Sequence, residues 1–292
     1  MSVLAVFGPT ASGKTAVAEA LARRLPAEIV SADSMQVYRG LPILTNQAAG
    51  RLVGIWPPDR QRTVGEYQEL AHAAIDEALA VGRTPILVGG SGLYFRAALV
   101  DLELPPHVPE GERARWERLY GRFGGQLAHD LLRERDPRAA AQVHPNDRKR
   151  VVRALELWSA GASLAPLTSR LWTQETRHPT TIVGLGVRRD VLAQRIVKRT
   201  RAMFEQGVER EVREAGEVVP RILGFDAVRT LPPQEAAREI VRSTRRLAAY
   251  QRKWMRRIPG VVMVDAERPV DEVVDAILEV VQSQTVQQEK RL

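Results

Sequence analysis

Five short apolar runs punctuate the chain, with amphipathic stretches between them. Val3–Phe7 is the first run and Glu28–Ala32, ending at Asp33, is the second. Pro85–Gly90 is the third, Thr181–Val187 the fourth and Val261–Asp265 the fifth. Runs this short, bounded by glycine or polar residues, predict strands. Between them, Ala16–Leu25 places Val17, Leu21 and Leu25 at helical spacing, and 66–81 has a similar pattern. Strands apolar on both faces and separated by helices predict an α/β fold with a parallel sheet covered on each side. Ligands of such sheets collect at the carboxyl ends of the strands. Asp33, Ser91 and the glycine loop 8–15 all fall at such ends.

The alternation stops between residues 108 and 173. No strand-like run occurs there, and helices are expected over 110–123, 126–135 and 147–158, with Pro105, Pro106 and Pro109 before them and Pro166 after. This stretch reads as a helical insertion, leaving 1–107 and 174–292 as the core domain. Further on, Ala237–Arg257 divides by face. Ile240, Thr244, Leu247, Ala248, Gln251, Trp254, Met255 and Ile258 share one side, while Arg238, Arg242, Arg245, Arg246, Arg252, Lys253 and Arg256 share the other. The polar tail 282–292 is expected to fray.

Composition narrows the classes. With 292 residues, 44% of them hydrophobic, the chain can bury a full core and an insertion. It has no cysteine, which removes disulfides, thiolate metal sites and a thiol nucleophile. Neither a signal segment nor an apolar run of membrane length is present, so a cytoplasmic protein is expected. The formal charge is +8 with a pI of about 10.2. A polyanionic partner such as nucleic acid would explain that excess, and so would an arginine-rich proteome. The insertion clusters Arg113, Arg115, Arg118, Arg122, Arg148, Lys149, Arg150 and Arg153, which favours the first reading.

Gly8-Pro9-Thr10-Ala11-Ser12-Gly13-Lys14-Thr15 matches the phosphate-binding loop G-x-x-x-x-G-K-[ST]. It follows a strand and opens a helix, the order its mechanism needs. Backbone N–H groups and the helix N-terminus hold phosphate oxygens. Lys14 supplies a mobile cation and the Thr15 hydroxyl is placed for Mg²⁺. Most loops of this kind serve ATP or GTP. Asp33 can hold Mg²⁺ through water, take a proton from a nucleophile, or simply close a turn.

Four blocks together resemble the tRNA dimethylallyltransferases. They are the loop at 8–15, Ser31-Ala32-Asp33-Ser34-Met35-Gln36-Val37-Tyr38-Arg39-Gly40, Gly89-Gly90-Ser91-Gly92-Leu93-Tyr94, and His144-Pro145-Asn146-Asp147 with Arg150, Arg153 and Glu156. The resemblance runs in order from Gly8 to about Arg257. It implies that the loop holds the diphosphate of dimethylallyl diphosphate, with Mg²⁺, instead of a nucleotide. It implies further that Asp33 is the general base for the exocyclic amine of the adenosine 3′ of the anticodon, with Ser91 beside it. By the same resemblance Arg199, preferred over Arg195 and Arg201, joins the pyrophosphate. Asp33, Ser34, Met35 and Gln36 would grip the flipped base, while Arg113, Lys149, Arg150, Val151, Val152, Arg153 and Arg245 would meet the tRNA anticodon stem-loop. A monomer holding RNA between its two domains is expected.

Three places depart from the family pattern: 44–47, 54–59 and 247–250, and Phe225 stands where tyrosine is common. Three alternatives stay open. A prenyltransferase acting on free adenine nucleotides would share the loop and Asp33 but needs no arginine-rich insertion. A small-molecule kinase would hydrolyse ATP. A non-enzymatic RNA-binding module would have no use for an intact Lys14, Thr15 and Asp33.

Overall fold

In the computed structural model, residues 2–105, 108, 111–165, 170–218 and 221–289 are described, with side chains up to residue 284. Pro106, Pro109, Glu110, Pro166 and the last three residues of the tail lie outside them. The chain forms two compact units, 1–101 with 171–292, and 102–170.

The larger unit begins β1 (Val3–Phe7), α1 (Lys14–Arg24), β2 (Ala27–Ala32), α2 (Pro42–Thr45), α3 (Val64–Ala80), β3 (Thr84–Gly89) and α4 (Gly92–Leu99). The smaller unit holds α5 (Glu112–Arg135), α6 (Pro137–Ala140) and α7 (Arg148–Ser159). The larger unit resumes with β4 (Thr180–Gly186), α8 (Arg189–Glu205), α9 (Val208–Glu214), α10 (Phe225–Thr230), α11 (Pro233–Met255), β5 (Val262–Asp265) and α12 (Val270–Glu289).

All five expected strands form one parallel sheet in the order β2-β3-β1-β4-β5. β1 lies at its centre, completely buried, because an all-apolar strand has no face to give to water. Its neighbours set the register: Phe7 pairs with Gly89 on one side and Gly184 on the other. The chain therefore leaves β1 and β3 at the same edge, bringing the loop 8–15 beside Ser91. Leu4, Val6, Leu21, Ile86, Val183, Leu185, Val274 and Ile277 fill the layer under α1 and α12.

Local chemistry explains where the helices start. α3 begins at Val64, two residues before the expected 66, because Thr63 and Glu66 form a reciprocal capping box. α11 begins at Pro233 instead of 237, since proline is pre-set for a first helical turn. α5 spans both helices expected around residue 124 and is interrupted at Gly124, with φ 82° and ψ 169°. In the smaller unit Trp116, Leu132, Val151, Val152 and Leu155 build a separate core. Asp147 caps α7 by accepting from Arg150 N at 3.2 Å, and Pro145 O accepts from Tyr120 Oη at 2.8 Å. The His-Pro-Asn-Asp block thus does a structural job here. No described helix is long and apolar enough to cross a membrane.

Candidate functional site

The loop after β1 turns through two left-handed residues, Ala11 at φ 65° and Gly13 at φ 90°. Glycine takes that conformation freely, whereas alanine pays of the order of 1 kcal/mol or more. The loop closes on itself by Ser12 N donating to Pro9 O at 3.1 Å, and Gly13 then caps α1. Lys14 and Thr15 are the first two helical residues, so their side chains stand at the positive end of α1.

An open cavity of about 370 Å³ lies against this loop. Thr10, Gly13, Lys14 and Thr15 form one wall, Asp33, Met35 and Gln36 a second, Leu44, Thr45 and Asn46 a third, and Arg195, Arg199, Thr244, Leu247 and Gln251 a fourth. Lys14, Thr15 and Asp33 also line a narrower apolar extension with Ile29, Ala48, Ala49, Val53 and Val88.

The electrostatics are those of a site prepared for an anion. Burial pushes the Lys14 ammonium down to about 8, opposed by Asp33 and reinforced by Arg199. Burial also lowers Arg199, again opposed by Asp33. Arg199 Nε and Thr244 Oγ1 are buried without a hydrogen-bond partner among the described residues. Unpaired buried cations are costly, and phosphate oxygens satisfy both their charge and their N–H groups. Arg195 Nη1 approaches Ser12 O at 3.5 Å. Arg201, by contrast, pairs with Glu205 on the outer face of α8. The preference for Arg199 over Arg201 agrees with this arrangement, and Arg195 joins it.

Asp33 sits at the end of β2 with its charge felt by Lys14, Arg199, Tyr67 and Tyr94. Its Oδ1 accepts from Met35 N at 2.9 Å, so the turn role is realised while Oδ2 has no partner in the described hydrogen bonds. Ser91 caps the start of α4. Its Oγ accepts from Ser34 N and shares a hydrogen bond with Ser34 Oγ, both at 3.1 Å. These bonds tie the 33–36 segment to the third strand.

Gln36 supports this wall more than it projects from it. Its Nε2 donates to Thr45 O at 3.3 Å and Asn46 O at 2.8 Å, and its Oε1 accepts from Ser31 Oγ at 3.3 Å. The off-pattern stretch 44–47 is therefore part of the cavity. The stretch 54–59 lies behind it, where Trp56 N donates to Val37 O and Trp56 O accepts from Arg39 N. Phe225 is buried, with the Arg229 guanidinium 5.5 Å from the centre of its ring.

Several functional candidates were invisible in the sequence. Gln251 falls on the packing face of α11, and its Oε1 accepts from Thr10 N at 2.7 Å. Its amide also occupies the space a side chain at Gly90 would need, so it joins loop to loop. Glu211 in α9 accepts from Ile43 N at 2.6 Å and Leu44 N at 2.8 Å, pinning the third wall. Burial raises its pKa, against those two donors.

Of the expected RNA contacts, Arg113, Lys149, Arg150 and Arg245 are exposed. Arg113 pairs with Glu117, and Arg150 with Asp147. Arg153 is partly exposed and pairs with Glu156 at 3.1 Å. Val151 and Val152 require correction. They are completely buried in the core of the smaller unit, because residues one apart from Arg150 and Arg153 on a helix point to its other side.

No cluster of three acidic, histidine or cysteine ligands occurs among the described residues. Thr15 and Asp33 nevertheless line the same cavity. One hydroxyl and one carboxylate suit Mg²⁺, which keeps most of its shell as water and substrate phosphate oxygens.

The family model for IPP transferase matches residues 36–258, and that for isopentenyl transferase matches residues 1–51. The chain is 40% identical over 285 residues to the tRNA dimethylallyltransferase of Salinispora tropica, covering 91% of this chain and 88% of that one. It is 38% identical to the enzyme of that name from Thermobifida fusca, covering 92% and 91%. Among solved structures it resembles the tRNA isopentenylpyrophosphate transferase of Bacillus halodurans, at 30% identity, a TM-score of 0.69 and 99% coverage of both chains.

Proposed function

The chain belongs to the IPP transferase family, and from that premise we propose that it transfers the dimethylallyl group of dimethylallyl diphosphate to the exocyclic amine of the adenosine 3′ of the anticodon in tRNA, releasing pyrophosphate. The observation that carries the reading is the joining, in one cavity, of a phosphate-binding loop, two arginines and a carboxylate with no ion pair among the described residues.

In the reaction the C1–O bond of the donor breaks as an N–C1 bond to the adenosine forms. Negative charge grows on the departing diphosphate. Lys14, Arg195, Arg199 and the N–H groups of Gly13, Lys14 and Thr15 would stabilise it, which lowers the barrier directly. When bound, Mg²⁺ held by the Thr15 hydroxyl would neutralise further charge on the same leaving group. The adenosine amine is a weak nucleophile because its lone pair is delocalised into the ring. Asp33 accepts its proton as the new bond forms. Ser91 holds the 33–36 segment in register through its bonds to Ser34. The base must leave the loop stack to reach this site. We expect a cytoplasmic monomer acting on the anticodon stem-loop.

The test is incorporation of labelled dimethylallyl diphosphate, with Mg²⁺, into unmodified tRNA and into AMP side by side. Label in tRNA alone supports the proposal. Label in AMP, or in neither acceptor, overturns it.

A further inference from the structure

Beside the cavity, α11 carries an aromatic group that the transfer chemistry does not use. Trp254 follows Gln251 by one turn and lies with its ring where any side chain at Gly92 would have to go. Gly92 in turn opens α4 next to Ser91. Trp172 stacks on Trp254 with ring centroids 4.8 Å apart and planes 37° apart. Tyr250 meets Trp254 edge-on, at 6.4 Å and 71°. The Arg257 guanidinium lies 3.9 Å from the centre of the Trp172 ring.

The group is anchored from both sides. Buried Arg96 in α4 donates to Leu171 O at 2.8 Å and Thr173 O at 2.9 Å, which fixes the short turn bearing Trp172. Arg257 N donates to Trp254 O at 2.8 Å, ending α11 in a fixed position. Of the three rings Tyr250 is the open one, while Trp172 and Trp254 cover part of each other. Tyr250 is 55% exposed, and Trp172 and Trp254 are partly so. Exposed Arg246 and Lys253 come from the C-terminal half of α11, and exposed Arg256 and Arg257 follow it. An apolar peptide would be poorly matched to that charge. Stacked rings among cations are instead the chemistry that holds unpaired nucleotides.

Resting on the tRNA reading above, we infer that Tyr250, Trp254 and Trp172 form a stacking surface for an unpaired nucleotide of the anticodon loop, a neighbour of the adenosine taken into the cavity. Extrusion of the target base removes a stacking partner from the nucleotide next to it. A rigid aromatic surface beside Ser91 replaces that partner, and so holds the loop in its opened form. Discrimination follows ring overlap, making purines the better occupants.

The experiment uses anticodon stem-loop RNA with 2-aminopurine placed at one loop position at a time, together with full tRNA for kinetics. Wild-type protein should quench 2-aminopurine at a position next to the target adenosine, and Tyr250→Ala and Trp172→Ala should relieve that quenching. Base–aromatic stacking of about 1–3 kcal/mol corresponds to a rise in tRNA KM of roughly 5- to 150-fold, with kcat and dimethylallyl diphosphate binding little changed. Trp172→Phe, which keeps a ring, should retain most of the affinity. If Trp172→Ala lowers the unfolding midpoint, exposed Tyr250→Ala decides the matter. Absence of quenching at every loop position, or wild-type KM in both alanine variants, overturns the inference. A wild type that puts no label into tRNA fails the functional reading itself, and the inference with it.

Discussion

Asp33 does two things that one substitution can separate. Its Oδ1 closes a turn onto Met35 N, and its charge faces Lys14 and Arg199. Asp33→Asn keeps an oxygen for the turn but cannot take a proton. It should leave tRNA binding near wild type and lower kcat by about 10²–10⁴-fold. Asp33→Ala should lose the turn as well and raise KM in addition. Transfer at the normal rate by the asparagine variant would remove the general-base role. Lys14 makes a prediction of the opposite kind, in pH. Its folded pKa of about 8 lies below the unfolded 10.5, so between those values the unfolded chain holds the proton more tightly. Stability of the free protein should therefore rise with pH across that window, and the burial cost is fully present below about 8. A bound diphosphate pairs the ammonium and raises its pKa. Binding above about pH 8 should thus take up a proton, measurable by calorimetry in two buffers of different ionisation enthalpy. No uptake there would mean that Lys14 is already charged in the free cavity.

At the scale of elements, α9 and α7 carry the instructive cases. Glu211 reaches from α9 to the first N–H groups of α2, and so sets the third wall of the cavity. Glu211→Gln keeps one acceptor and sets an N–H against an N–H. A buried hydrogen bond lost in this way costs about 1–3 kcal/mol, so donor binding should weaken roughly 5- to 150-fold while the fold persists. Unchanged donor affinity would leave Glu211 a purely structural residue. On α7, Val152→Ala should destabilise the smaller unit by about 2 kcal/mol in denaturant unfolding, whereas exposed Lys149→Ala should change stability by less than about 0.5 kcal/mol. These two elements also mark where sequence reading stops. The strands, the loop 8–15, Asp33 and Ser91 were legible because each signal is local: an apolar run, a glycine spacing, a residue at a strand end. The bonds of Gln251 and Glu211 were not, because their partners are 241 and 168 residues away. Val151 and Val152 were misassigned for a different reason. A contiguous stretch of resemblance does not make one surface on a helix, which turns successive residues through about 100° and sends the valines inward.

At the scale of the whole molecule, the open quantity is what the charge of +8 does. Many insertion arginines already have partners within the smaller unit. Arg113, Arg133 and Arg150 pair with carboxylates, and Arg115, Arg122, Arg135 and Arg148 lie over aromatic rings. Exposed ion pairs of this kind contribute little to stability and remain available to exchange a carboxylate for a phosphate. The outer face of α11 is different in kind: Arg245, Arg246 and Lys253 have no ion pair among the described residues. If that face follows an RNA backbone, each contact releases about 0.7–0.9 counterions. Replacing those three by alanine should then lower the slope of log affinity for tRNA against log salt by roughly 2–3, and weaken binding at low salt much more than at high salt. Donor binding, governed by Lys14 and the loop, should not change. The Tyr250 and Trp172 variants should behave in the converse way, weakening tRNA binding with the slope intact, since stacking releases no counterions. An unchanged slope in the triple variant would assign the charge of α11 to composition and not to recognition. The tRNA contacts would then have to come from the exposed cationic side chains of the smaller unit, beginning with Arg113, Lys149 and Arg150.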